Sequence, residues 1–356
     1  MNYKSSGFSL AIDWLQLHCR VKKKELLQHN GKSKTGKYDL QIQEIKNPIW
    51  SKHLNVKLGD DILAHLSFEP HSNILPETSS HLKINNKFLY SEILPELVAD
   101  LLEELELGFL SVSRLDIAAD FVKFKKMSCP AFIKSVVQKK LLKRYTTSFA
   151  LQGMLTRSMP IHYIRFGSKN HEVQWYLYNK SKELREKTKK PWIEAHWQAN
   201  GLPCRSRDIW RLEFSLKPSQ FGVVFDGAVE IEFNNLDILK PSHLLAVFSA
   251  LYQKHCDFRR NDGQVRKERM KKVELLNVED YSGVFAKVSD KKESNRIHKV
   301  FIKMLHQLNN DWRIANQETN RDGYRMLHEY VEKFNLVEWY NKTVSELESK
   351  IKKEQL

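Results

Sequence analysis

Three short segments of this chain alternate apolar and polar residues with strand period, and each gathers its reactive side chains on one face. Arg114-Leu-Asp-Ile-Ala-Ala-Asp-Phe121 turns Leu115, Ile117, Ala119 and Phe121 one way and Arg114, Asp116, Ala118 and Asp120 the other. Trp175-Tyr-Leu-Tyr-Asn-Lys180 sets Trp175 and Leu177 opposite Tyr176, Tyr178 and Lys180. Trp210-Arg-Leu-Glu-Phe-Ser-Leu-Lys217 sets Trp210, Leu212, Phe214 and Leu216 opposite Arg211, Glu213, Ser215 and Lys217. Such segments bury one face of a sheet and leave the other polar, the habit of antiparallel strands.

Further strand composition lies at Phe8 to Cys19, Ile62 to Phe68 and Tyr163 to Phe166, with turns at Gly31 to Gly36, Pro70 to Pro76 and Gly167 to Asn170. Between them Leu94, Leu97, Val98, Leu101, Leu102 and Leu105 recur at helical spacing within Ser91 to Leu107. Pro130 opens a second helix carrying Ile133, Val136, Val137 and Leu141. After Pro218 the pattern turns helical, at Pro241 to Lys254 and from Arg296 to a last near-heptad run ending in Ile351. The expectation is an α+β fold: a mostly antiparallel central sheet with flanking helices over residues 1–217, then a mainly helical region over 218–356.

If the three polar faces share one side of one sheet, they assemble carboxylates, a phenol and cations in one place. Asp116 and Asp120 could hold a divalent ion, and Tyr178 or Tyr176 could serve as an oxygen nucleophile. Arg114, Arg211 and Lys180 could neutralise a phosphate. Ordinary readings compete: a half-wet strand with surface charges, and Tyr-x-Tyr as plain β-propensity. The four cysteines form no CxxC pair, no Gly-rich phosphate loop or HExxH occurs, and no two histidines stand at i, i+2. The chemistry therefore rests on carboxylates, lysines and tyrosines.

Lys and Arg number 58 against 43 acids, a net charge of +15 that favours a polyanionic partner. Between Phe121 and Arg144 there are eight cations, Lys123, Lys125 and Lys126 among them, and no acid. Lys182 to Lys190 and Arg259 to Lys272 are further basic stretches, the first followed by Trp192 as a base-stacking surface or a packed aromatic, the second opening with Arg259 and Arg260. The longest mostly apolar run, His243 to Tyr252, is about half a membrane span, and Asp13 interrupts the only N-terminal apolar stretch. A cytoplasmic protein is expected.

Ser113-Arg-Leu-Asp-Ile-Ala-Ala-Asp-Phe121, Phe166-Gly167 followed by Tyr178-Asn-Lys-Ser-Lys-Glu183, and Trp210-Arg-Leu-Glu-Phe-Ser-Leu-Lys217 resemble, in that order, the motifs of the Rep_trans replication-initiation factors. Leu236-Asp-Ile-Leu-Lys-Pro241 resembles a later motif and Ile12-Asp-Trp-Leu15 the family's opening strand. The resemblance implies a rolling-circle initiator of a plasmid or filamentous phage. Such an enzyme nicks one strand at a double-stranded origin through a tyrosine, here Tyr178, and leaves a 5′-phosphotyrosine link and a 3′-hydroxyl primer before rejoining the strand.

By the same resemblance the metal, Mg²⁺ or Mn²⁺, would sit on carboxylates: Asp116 and Glu213 first, Asp120 third, with Glu69 and Asp13 of lower rank. Ser215 departs from some plasmid relatives, which carry a second acid there. Tyr176 competes as nucleophile, and Tyr178 is preferred for its place beside Asn179-Lys180. The implied partners are origin DNA, supercoiled or locally single-stranded, and the helicase and polymerase of a bacterial host. Arg114, Lys123, Lys125, Lys126, Arg211, Arg259 and Arg260 are the candidate DNA contacts, and region 218–356 would bind origin DNA or oligomerise. The alternatives are a conjugative relaxase of the same family, which often adds an N-terminal helix-turn-helix domain, and a non-catalytic DNA-binding regulator.

Overall fold

The computed structural model describes residues 7–278, apart from 29, 72–74, 145–147, 154–160, 168–172, 188, 217–222, 227–228 and 233–234, together with 285–286 and 337. The chain divides into two compact units, Met1–Val288 and Ser289–Leu356. The amphipathic helices expected from Arg296 onward lie outside the described residues. No described helix is long and apolar enough to cross a membrane.

The first unit is built on an eleven-stranded antiparallel sheet. Its N-terminal strands are β1 (Ser9–Val21), β2 (Gly31–Lys32), β3 (Asp39–Ile42), β4 (Trp50–Leu58), β5 (Asp61–Pro70), β6 (Ser79–Ile84) and β7 (Leu107–Phe121). After β8 (Leu141–Lys143), which joins another sheet, come β9 (Phe149–Gly153), β10 (Ile161–Phe166), β11 (Val173–Asn179) and β12 (Trp210–Leu216). The spatial order is β2-β3-β4-β5-β6-β1-β7-β12-β11-β10-β9. The three patterned segments are thus neighbours, β7 beside β12 beside β11. Their registers pair Asp116 with Ser215 and Ala118 with Glu213 on one side, and Glu213 with Tyr176 and Arg211 with Tyr178 on the other. That arrangement is what puts all three polar faces on one side.

The opposite face is the core. Leu115, Ile117, Phe121, Trp175, Leu177, Leu212 and Phe214 are buried in one cluster with side chains of three helices, α1 (Leu94–Glu104), α2 (Cys129–Val137) and, later in the chain, Pro241–His255. Each large apolar side chain so buried contributes about 1.5–3 kcal/mol. Ser128 caps α2 by accepting the Ala131 amide at 3.3 Å, and Pro130 occupies its first turn. Gly59, at φ 58°, makes the two-residue turn between Leu58 and Asp61 that joins β4 to β5.

Two short helices follow the tyrosine strand, α3 (Lys180–Glu186) and α4 (Pro191–Ala199). Lys180 had been expected in the strand; instead Asn179 ends β11 and caps α3, its Oδ1 accepting the Lys182 amide at 2.8 Å. Leu184, Ile193, Trp197, Leu202 and Ile209 form a second, smaller cluster beneath these helices.

The expected boundary at residue 217 falls inside the first unit. The helix Pro241–His255, α5, packs on the sheet, with the Phe248 ring 5.5 Å from that of Phe8 and 5.8 Å from that of Phe214. Beyond it, Phe258–Arg260 pairs with β8 and with Lys272–Val273. Alternation and helical period describe each element but not which surface it covers, so a change of composition was mistaken for a change of domain.

Candidate functional site

A cleft of about 420 Å³ opens on the polar face between the middle of the sheet and the α3–α4 segment. Tyr178, Lys180 and Glu213 line it together with Asp13, Asp116 and Arg114, and with Lys83 and Lys190. Four of the five residues first singled out as nucleophile, partner and metal ligands therefore converge, although they come from three strands and the start of a helix, and the fifth, Asp120, does not line the cleft.

Tyr178 donates its phenolic hydrogen to Glu213 Oε2 at 2.7 Å. Burial and the adjoining Glu213 charge hold this phenol well above its ordinary pKa, against the pull of Arg211. Glu213 is itself pushed up to about 8, by burial first and then by the negative charges of Asp13 and Asp116. A carboxyl so placed binds its proton more tightly than an ordinary carboxylate and is a correspondingly better base. Tyr176, the competing nucleophile, gives its hydroxyl to Gln174 in its own strand and is absent from the cleft lining. Burial, followed by Tyr163, Glu213 and Asp116, raises its phenol to about 12.

Asp116 is buried, and both its oxygens are engaged: Arg114 Nη2 lies 2.7 Å from Oδ2, while Arg114 Nε at 3.2 Å and Ser215 Oγ at 2.7 Å donate to Oδ1. Burial raises its pKa despite Arg114. Ser215 thus holds an acid of the neighbouring strand in place.

Asp13, ranked low from sequence, belongs at the centre. The pairing of β1 with β7 slips between Ile12 and Trp14, so Asp13 is the unpaired residue of a bulge. A bulge breaks strict alternation and re-aims a side chain, which period-2 reading cannot foresee. Asp13 Oδ1 accepts from Arg211 Nη1 at 2.6 Å and from the Tyr90 hydroxyl. Burial alone would raise this carboxyl, but Arg211, Lys180 and the Tyr90 bond carry it well below the carboxylate range.

Asp120 is a correction. Four residues beyond Asp116 on one strand, it stands roughly 13 Å away, too far to share an ion. It is 1% exposed, and its oxygens accept from Arg211 Nε and Nη2, both at 2.7 Å, and from Trp197 Nε1 at 2.7 Å. Arg211, fully buried, is likewise no DNA contact: it ties Asp120 to Asp13 and Tyr90. Glu69, at the end of β5, does not line the cleft.

The other basic candidates divide. Lys123, Lys126 and Arg260 are exposed. Lys125 is exposed too, in a surface pair with Glu274 at 2.9 Å, whereas Arg259 forks onto buried Asp257 at 2.7 and 2.9 Å and is committed within the fold. Trp192 is partly buried and donates to Asn86 Oδ1 at 3.0 Å, while Asn86 in turn reaches the Asp13 carbonyl at 2.8 Å. It braces the cleft as a packed aromatic. Lys190 closes the basic stretch Lys182 to Lys190 named from the sequence, whereas Lys83 had no signal there, being a single lysine outside any basic run.

The donors are of the kind a hard divalent cation takes, carboxylate oxygens of Asp116, Glu213 and Asp13 facing one cleft, although Arg114 holds Asp116 and Arg211 holds Asp13. Among the described residues no three His, Cys, Asp or Glu side chains stand in ligating arrangement. Arg114 would have to release Asp116 for this aspartate to join a metal.

No protein-family model matches the chain, and no curated protein matches it. Among solved structures, it is similar to that of a rolling circle replication initiator protein from Geobacillus stearothermophilus. The likeness covers 75% of this chain and 93% of that one, at 12% identity and a TM-score of 0.46.

Proposed function

We propose that this protein is a Rep_trans-type replication initiator, a metal-dependent DNA nicking and joining enzyme with Tyr178 as nucleophile. The observation that carries the reading is the Tyr178–Glu213 hydrogen bond inside a cleft that also holds three more carboxylates and several cations. The ordered motifs of the sequence support it independently.

In the proposed reaction the Tyr178 oxygen attacks the scissile phosphorus and its proton passes to Glu213 Oε2. The bond from phosphorus to the 3′ oxygen breaks, and that oxygen leaves with a proton as a free 3′-hydroxyl. The 5′ phosphate stays on the tyrosine. Because one phosphodiester replaces another, the reverse attack by a 3′-hydroxyl rejoins the strand without a nucleotide cofactor. Asp116 and Glu213, with Asp13 in place of Asp120, would hold Mg²⁺ or Mn²⁺, which would polarise the phosphoryl oxygen and neutralise developing charge. Lys180, fixed by Glu183 at 2.6 Å and 5.5 Å from the Tyr178 ring centre, adds a positive charge beside the nucleophile. Origin DNA is the proposed partner, with host helicase and polymerase acting after the nick.

The test is incubation with supercoiled DNA bearing the replicon's origin and Mn²⁺, followed by detection of DNA covalently bound to protein. The wild type forms the adduct and Tyr178→Phe does not. An adduct of undiminished yield with Tyr178→Phe would sink the assignment.

A further inference from the structure

The cleft has two halves, and only one has been used. Its cations are Lys83, Arg114, Lys180 and Lys190. Arg114 is spent on Asp116 and Lys180 on Glu183, while Asp13 is held by Arg211. Lys83 and Lys190 remain, and among the described residues neither makes an ion pair.

Both ammonium groups are half-buried. Burial lowers the pKa of each, and in the case of Lys83 the nearby Arg114 and Lys190 charges lower it further. Asp13 and Glu183 attract Lys190 but are themselves paired with Arg211 and Lys180, so cations drawn together at partial loss of solvent are an arrangement that a further anion relieves. Their support is fixed. Lys83 Nζ sits 3.8 Å from the centre of the Trp14 ring and the Arg114 guanidinium carbon 4.1 Å from it, so the indole braces both. Lys190 immediately precedes Pro191 at the start of α4, a helix anchored by Trp192 to Asn86 and by Trp197 to Asp120.

A row of polar residues leads to this half. Across β4, β5, β6, β1 and β7 the register sets Asn55, His65, Lys83, Gln16 and Arg114 side by side. His65 and Lys83 both line the cleft.

We propose that Lys83 and Lys190 form a second phosphate subsite, which takes the phosphodiester next to the scissile one and so sets the register of a single DNA strand over Tyr178. The inference rests on the nicking reading for the identity of its ligand, but its geometry stands apart from the nucleophile and the carboxylates. A compact ammonium pair recognises phosphate as point charges and reads no base, so the subsite contributes position and not sequence.

The test is equilibrium binding of a fluorescent single-stranded oligothymidylate, read by anisotropy between low and moderate salt. Since this probe carries no nick site, a protein that forms no covalent adduct still reports on the subsite, and the two readings fail separately. Lys83→Gln and Lys190→Gln each weaken binding by about 3- to 10-fold, and the double variant flattens the dependence of log affinity on log salt by about 0.7 or more. Lys83→Arg and Lys190→Arg restore most of the affinity, which separates charge from folding. Equal affinity and slope for wild type and a folded double Gln variant would overturn the proposal. So would a loss that the Arg variants share in full.

Discussion

Arg211 and Asp120 meet through two parallel hydrogen bonds of 2.7 Å, on adjacent strands, with both side chains sealed from solvent. Without Asp120 the buried Arg211 keeps Asp13 as its remaining carboxylate partner, and breaking a buried pair of this kind costs up to roughly 3–5 kcal/mol. Asp120→Asn is therefore expected to lower thermal stability markedly, with or without metal. A ligand would behave otherwise: its loss would leave the melting temperature of the metal-free protein nearly unchanged. Calorimetry in EDTA distinguishes the two.

Tyr176 and Tyr178 share a face but not an environment. Tyr176→Phe removes only a bond to Gln174 and is expected to leave adduct formation close to wild type. Glu213→Gln, which keeps the shape and loses the base, should slow adduct formation by about 10²–10⁴-fold. If Tyr176→Phe is inactive while Tyr178→Phe forms the adduct, the nucleophile is Tyr176.

Metal affinity should depend on pH. With the Glu213 carboxyl raised to about 8, a cation binding there below that pH must displace a proton. Isothermal titration with Mn²⁺ should show affinity rising by up to about tenfold per pH unit from 6 to 8 and flattening above. In Glu213→Gln that slope should disappear.

Burial first, and then the neighbouring His18, lowers the His81 pKa to about 4. The imidazole is thus neutral in the folded chain but takes up a proton below about 6.5 when unfolded, so the unfolded state gains protons and stability falls with falling pH between 6.5 and 4. Between pH 7 and pH 5 this group alone removes about 2 kcal/mol, an order-of-magnitude figure. Urea unfolding at the two pH values should show His81→Gln losing less than wild type by about that amount.

Arg259 and Arg260 are adjacent and should act differently. Arg260→Ala should lower the salt slope of duplex binding by about 1 without affecting stability. Arg259→Ala leaves the buried Asp257 without its fork and should lower the melting temperature instead.

What the sequence made legible was whatever depends on period. Alternation placed Asp116, Glu213 and Tyr178 on polar faces, and adjacency of β7, β12 and β11 then brought them to one cleft. Alternation could not tell Asp116 from Asp120, which share a face; the difference is made by Trp197 and Arg211, whose side chains close over Asp120 from elsewhere in the chain. Asp13 was undervalued because a bulge obeys no period. Lys83 matters by position in space alone, and the basic stretch that contains Lys190 did not say which of its lysines reaches the cleft.

The bond between Arg211 and Asp13 spans 198 residues of sequence. At a ribosomal rate of about 5–20 residues per second, roughly 10–40 seconds separate the synthesis of one from that of the other. Through that interval the nascent chain carries Asp13, and in its second half Asp116, but no β12, hence neither Glu213 nor the arginine that fixes Asp13. A polypeptide interrupted before β12 would lack the strand that joins β7 to β11, so the cleft between them is assembled only when the last of the three strands has been made.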